Sequence, residues 1–148
     1  MKTGELLHIL RKWFPDRHIV VCPVDKLDLS QPGVYIVNTD CRKGKHWVAF
    51  YVTEDTLEFF DSYGRHPKAL QNYTLFLKAI DDKPLIVHKH MLQAYFKKVC
   101  GVYCLAFLYA RIKWNDVSRL FSMFTDNRSE NDDKIVPIVN MMIHDDVK

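Results

Sequence analysis

The sequence predicts an α+β fold with a central mixed sheet of about five strands flanked by helices, and three observations carry that expectation. Short β-branched or aromatic runs crowd the middle of the chain, segments with helical periodicity lie at both ends, and the length of 148 residues, 48% of them hydrophobic, suffices for one sizeable core but not for two ordinary domains. No internal repeat or linker-like tract divides the chain, so residues 1–148 are read as a single domain.

The first element is TGELLHILRKWF, where Leu6, Leu7, Leu10 and Phe14 recur at helical spacing behind Thr3 as an N-cap. The pattern then changes. HIVVCPV, GVYIVNT, HWVAFYV, TLEFFDS and PLIVHKH are short runs punctuated by Pro, Gly, Asn and Asp, which predicts strands. The third and fourth should form a hairpin turning at Glu54 and Asp55. Helices are expected at PKALQNYTLFLKAI with Pro67 in its first turn, at CGVYCLAFLYARIKW, at DVSRLFSMF, and at NDDKIVPIVNMMI, where Pro137 should kink or restart the helix.

Composition narrows the setting. A net charge of +3 is only mildly basic; it permits a weak attraction to DNA or acidic partners without arguing for one. No run approaches the roughly 18 to 20 apolar residues of a membrane span, and MKTGELLHILRKWF carries charges through its apolar positions where a signal peptide would not. The expectation is a non-secreted monomer of the cytoplasm or nucleus, with no membrane partner, whose Cys22, Cys41, Cys100 and Cys104 are free thiols.

Four residues could do chemistry together. Cys100 opens a helix expected to be buried nearly all round, where the positive end of the helix dipole and unpaired backbone N–H groups favour thiolate over thiol. Gly101 removes a side chain beside the sulfur, so a substrate backbone could approach. Taken alone, Cys100 is as readily a small packing residue. A nucleophilic thiol needs a base, and of seven histidines His46 stands out because it begins a strongly apolar strand. His8, His18, His66, His88, His90 and His144 read more simply as surface or capping residues. Asp61, at the end of the adjoining strand, could orient the imidazole, although an aspartate opening DSYG also suits a plain turn. Gln93, seven residues before Cys100, could donate its amide to a developing oxyanion alongside the Cys100 N–H, or simply be a solvated polar residue.

The ordered set of HW at His46 and Trp47, an acid after the next strand at Asp61, and a glutamine before CG at Gln93 and Cys100 resembles the adenovirus maturation proteinase (adenain) family. It is also similar to the wider group that includes the SUMO-deconjugating cysteine proteases. YIVNT, HWVAF and CGVYCLAFLYA add local likeness, and together these motifs cover most of the chain from Val34 to Trp114. Small chains of this kind occur in Maverick/Polinton elements and adintoviruses. Two differences stand beside the likeness: Asp61 replaces a glutamate, and AIDDKPLIVHKH lacks the cysteine through which the adenovirus enzyme tethers its activating peptide.

The resemblance implies a papain-like core in permuted order, with Cys100 as nucleophile, His46 as general base and then acid, Asp61 as its orienter and Gln93 as oxyanion donor. Trp47 would wall a narrow channel, with Gly101 beside it, favouring cleavage after Gly-Gly or Gly-X in viral capsid or core precursors during virion maturation. No cofactor is required on this reading; a noncovalent peptide or DNA is the candidate activator, and the virion joins the expected locations. Three alternatives remain at this stage: a SUMO- or ubiquitin-like deconjugating protease, a nonenzymatic module binding peptide or DNA through its RKGK and FKK segments, and a zinc site at Cys100 and Cys104, for which C-x₃-C lacks a second ligand pair.

Overall fold

The computed structural model describes residues 1–39, 46–80, 83–94 and 98–147. Its centre is one five-stranded sheet in the order β1 (Ile19–Pro23), β2 (Gly33–Asn38), β3 (Trp47–Val52), β4 (Leu57–Phe60) and β5 (Leu85–His88). The three inner strands are antiparallel, and each outer strand runs parallel to its neighbour, so the sheet is mixed, as its sequence suggests. At the β3–β4 turn the Thr53 N–H donates to the Thr56 carbonyl (3.0 Å), which leaves Glu54 and Asp55 at the tip.

Both faces of the sheet are covered, and strand residues therefore alternate between two cores instead of between core and water. Val34, Ile36, Ala49, Tyr51 and Phe60 face α1 (Thr3–Trp13), α3 (Cys100–Tyr109) and α5 (Arg128–Val147). Tyr35, Val37, Val48, Phe50, Leu57 and Phe59 face the smaller layer of a 3-10 turn at Val24–Lys26 and α2 (Tyr73–Ala79). A cavity of about 490 Å³ lies in that smaller layer between Val24, Leu29, Leu57 and Leu75; none of the four candidate chemical residues borders it. Among the described residues, no helix is long and apolar enough to cross a membrane.

Several element boundaries differ from the sequence expectation, each for a local reason. Thr3 is already helical; Lys2 is the N-cap of α1, and the Glu5 carboxylate accepts its N–H (3.2 Å). The helix expected over 67–80 is two pieces, a 3-10 turn at Pro67–Ala69 and α2, because Asn72 between them is left-handed (φ 63°) and donates its side-chain amide to the Thr39 carbonyl (3.0 Å). A left-handed residue cannot continue a right-handed helix, and Asn accepts that conformation at lower cost than most residues. Helix α3 widens into a π-turn at Ala110–Trp114 and stops at Asn115, also left-handed (φ 54°). The next helix, α4, is confined to Val117–Phe121 behind Asp116, whose carboxylate accepts the Arg119 N–H (3.1 Å). Pro137 neither ends nor restarts α5, which runs through it as one helix. Pro137 and Asp133, the residue whose carbonyl loses its partner, both lie on the exposed face, where water can satisfy the carbonyl.

Helix α3 is buried along its length, with Val102 alone partly exposed. Its Phe107 ring lies parallel to Phe60 of β4, centroids 4.8 Å apart, and has no solvent exposure. Phe107→Ala should therefore cost about 3–5 kcal/mol of folding stability, read from chemical denaturation midpoints at unchanged slope.

Candidate active site

Three elements meet at one end of the sheet: the start of β3, the end of β4 and the N-terminus of α3. His46 immediately precedes β3, held by a bond from the Thr39 N–H to its own carbonyl (2.9 Å). Continuing the β3–β4 register one step beyond Ala49↔Phe60 sets Val48 opposite Asp61, just past the end of β4. Asp61 therefore leaves the sheet beside the start of β3, and the turn it opens carries Tyr63 against the His46 ring.

The carboxylate of Asp61 is fully buried and fully engaged. Its Oδ1 accepts from His46 Nε2 (2.7 Å) and from the Tyr63 N–H (3.0 Å), and its Oδ2 accepts from Arg65 Nε (2.8 Å). Burial would raise its pKa, but the His46 bond, the His46 and Arg65 charges and the Tyr63 amide together hold it below the ordinary carboxylate value. An ionised carboxylate only accepts, so Nε2 carries the proton of this bond and Nδ1 is the nitrogen left for Cys100. Asp61 also opens a turn, since its carbonyl accepts the Gly64 N–H (2.7 Å); the turn and the orienting role coexist.

Cys100 is the first residue of α3 and is 6% exposed. The Trp47 N–H donates to its Sγ (3.3 Å). Burial pushes the thiol pKa up, yet the hydrogen bond and charge of His46 and the amides of Trp47 and Gly101 outweigh it, so the net shift is downward. For His46, burial pushes down while the hydrogen bonds and charges of Asp61 and Cys100 push up, and the net shift is upward. Both shifts act in one sense, toward a thiolate beside an imidazolium. The other two described cysteines are opposite in character: burial drives Cys104 well above the ordinary thiol value and Cys22 up to about 11.

Gln93 is 1% exposed, not solvated. The Ser62 carbonyl accepts the N–H groups of Leu92 (2.8 Å) and Gln93 (3.0 Å), and Ser62 Oγ donates to Gln93 Oε1. With its oxygen committed to Ser62, the amide has its NH₂ end as donor. Trp47 is 7% exposed: its indole N–H donates to the Met1 carbonyl (3.1 Å), and its Cδ1 would lie 3.3 Å from a Cβ built on Gly101. The space that Gly101 leaves is bordered by Trp47, Leu6 and Met1.

Sequence reasoning missed Tyr63, Arg65 and Ser62. The Tyr63 ring stacks on the imidazole (centroids 4.8 Å, planes 16° apart), and the Arg65 guanidinium lies 4.9 Å from the other partner of that stack, the Tyr63 ring centroid. Nothing local announced these three, since Ser62 and Tyr63 lie in the turn that Asp61 opens and Arg65 follows it. Of the rival histidines, His66 does cap a turn, accepting the Lys68 N–H (3.1 Å), but His88 is not a surface residue, since it lies 3.3 Å from the buried Glu58 carboxylate. Arg42, Lys43, Gly44 and Lys45 of the basic RKGK segment, Phe96 and Lys97 of FKK, and Cys41 lie outside the described residues.

Chemically, a thiol with a lowered pKa beside a base that a buried carboxylate holds can add to an electrophilic carbon, and the imidazolium can return the proton to a leaving group. No protein-family model matches the chain, and no curated protein matches it either.

Two outcomes test the geometry directly. Alkylation of Cys100 by iodoacetamide should persist as pH falls below the ordinary thiol range, and His46→Ala should move its midpoint upward, because the shift depends on the imidazole. An unmoved midpoint would show that the helix end and the amides suffice. Gly64→Ala should destabilise the fold and loosen Asp61, since Gly64 has φ +72° and a Cβ there would sit 2.8 Å from Met91 Cγ and 2.9 Å from the Lys89 carbonyl oxygen. Thermal unfolding of the variant measures the first effect, and its alkylation profile the second.

Proposed function

We propose that the protein is a cysteine endopeptidase of the adenain type, cleaving polypeptides after small residues, Gly-Gly or Gly-X, in flexible segments of viral structural precursors. The observation that carries this reading is the buried placement of Cys100 Sγ on the Trp47 N–H (3.3 Å), next to His46, whose Nε2 meets Asp61 Oδ1 (2.7 Å), with the thiol shifted toward thiolate and the imidazole toward imidazolium. A binding module gains nothing from burying a reactive thiol beside a charged imidazole, since burying charge is costly.

The reaction runs as follows on this proposal. The Cys100 thiolate attacks the scissile carbonyl carbon, and the C=O electron pair moves to oxygen, where the Cys100 backbone N–H and the Gln93 NH₂ stabilise it. Collapse of the intermediate expels the amine, which takes the proton held on His46. The neutral imidazole then draws a proton from water, which attacks the thioester and releases the acid, and Cys100 leaves as thiolate. Asp61 keeps the imidazole in one orientation throughout and stays ionised. Trp47, packed over Gly101 beside the sulfur, narrows the approach, so side-chain-free residues pass and branched ones do not.

Cys100→Ala and His46→Ala should each abolish cleavage of a Gly-Gly peptide while leaving thermal unfolding cooperative, and Asp61→Ala should leave residual activity. Gln93→Ala should lower kcat by roughly 10² to 10³ with KM little changed. Turnover by Cys100→Ala equal to that of the parent would sink the enzyme reading. A peptide library addresses selectivity: equal cleavage after Gly-Gly and after Leu-Phe refutes the narrow channel, and Trp47→Ala should broaden acceptance at those positions.

A further inference from the structure

The segment that carries Gln93 is gripped from a second side, by the first turns of α5. Asn131 Nδ2 donates to the carbonyls of Leu92 (3.1 Å) and Thr125 (2.8 Å), and its Oδ1 accepts the Thr125 N–H (2.9 Å). Asp132, 5% exposed, accepts the Ala94 N–H on Oδ2 (3.1 Å) and the Tyr103 hydroxyl on Oδ1 (2.7 Å). Tyr103 belongs to α3, three residues after Cys100, and its hydroxyl lies 3.4 Å from the Leu92 carbonyl. One carboxylate therefore bonds both the residue next to Gln93 and a residue one turn along the helix that Cys100 begins.

A buried carboxylate with a donor on each oxygen is a short, charge-assisted tie with little freedom to stretch. Covering two donors would need no charge and no link across elements. What this arrangement adds is a charged tie between two segments that the Tyr103 hydroxyl and the Leu92 carbonyl (3.4 Å) also join. We propose that Asp132 is a positioning residue: it sets where the Gln93 amide stands relative to Cys100 Sγ. The inference rests on the protease reading above. Oxyanion donors act through geometry, and a misplacement near one ångström costs up to about 10²-fold in rate, so the tie bears on turnover more than on substrate binding.

Asp132→Asn keeps the volume and one acceptor. Its oxygen can hold the Ala94 N–H, while its NH₂ donates to a Tyr103 hydroxyl that turns toward Leu92, so the chain still folds around a neutral, looser tie. On a Gly-Gly peptide, kcat should fall roughly tenfold with KM unchanged, and the same substitution should add no further loss in a Gln93→Ala background. An equal loss in both backgrounds overturns the proposal, because it marks a general effect on the fold. Tyr103→Phe, which removes the hydroxyl and leaves Ala94 bonded, should lower kcat in the same direction; parent-like kcat in both variants also overturns it. Exposed Asp133→Asn is the control.

A readout independent of cleavage is the Gln93 side-chain NH₂ pair in ¹⁵N–¹H spectra. It should shift or broaden in Asp132→Asn and not in Asp133→Asn. An unmoved pair overturns the proposal whether or not the parent cleaves peptide. A moved pair in a chain whose parent cleaves no peptide would instead refute the protease reading, and with it the catalytic consequence drawn here, while leaving the tie itself established.

Discussion

The packing of α3 against the sheet is the constraint from which the site follows. Nine of its ten residues are buried, so the helix cannot slide or rotate without exposing apolar surface. Phe107 against Phe60 fixes it along β4, and the Cys104 thiol donating to the Trp47 carbonyl (3.4 Å) fixes it along β3. With both strands gripped, the N-terminus of α3 has one place to be, at the sheet end where His46 and Asp61 emerge. The cluster of Cys100, His46 and Asp61 is a by-product of core packing in this sense: its parts belong to elements whose relative positions are already determined by burial.

Electrostatics then decides whether such a cluster can exist away from water. Isolated buried charges cost several kcal/mol each, and a pair survives only when hydrogen bonds satisfy what the pairing leaves over. Here the ionised forms alternate in sign along one line of contacts: thiolate, imidazolium, Asp61 carboxylate, Arg65 guanidinium. The line is neutral overall, and it ends on Arg65, whose side chain is 33% exposed, so the last charge is partly hydrated. The Tyr63 ring stacks on the imidazole, and its centroid lies 4.9 Å from the Arg65 guanidinium, so it packs against both groups that flank the Asp61 carboxylate. A second cluster on β4 and β5 follows the same rule: Glu58, 5% exposed, accepts from Arg111 Nε (2.8 Å) and meets His88 (3.3 Å), and among the described residues no thiol joins it. The thiol is what distinguishes the cluster at His46 and Asp61 from it.

Much of this architecture was readable because it is local. Hydrophobic runs of strand length and the apolar sweep from Cys100 to Tyr109 declare their elements directly, and a hairpin fixes its own register, which is why His46 and Asp61 could be paired in advance. What escaped depends on partners distant in sequence. Asn72 is compatible with a helix until its amide finds Thr39, and only then does the helix over 67–80 break. Solvation stayed open as the alternative for Gln93 because nothing in HKHMLQAY reveals Ser62, 31 residues away, which takes up both its backbone and its side chain. His88 read as a surface or capping residue because PLIVHKH reveals nothing of Glu58, 30 residues earlier, whose carboxylate it meets together with Arg111.

The two cysteines of α3 show how little of reactivity resides in helix position alone. Cys100 and Cys104 stand one turn apart on the same face, both buried, and both contact Trp47. They contact opposite ends of it. Cys100 meets the Trp47 N–H, a donor that stabilises sulfur as an anion, whereas Cys104 meets the Trp47 carbonyl, an acceptor that is satisfied only while sulfur keeps its proton. Their pKa values separate, one below and one well above the ordinary thiol value: at Cys100 burial is outweighed chiefly by the hydrogen bond and charge of His46, while at Cys104 burial dominates and a Cys100 thiolate adds to it. The Trp47 amide reinforces that separation on the Cys100 side. The helix dipole adds to that sorting for Cys100 at the first position and fades within a turn. Position on the helix brings a thiol to the sheet end, and the imidazole it meets there does most to draw it toward thiolate.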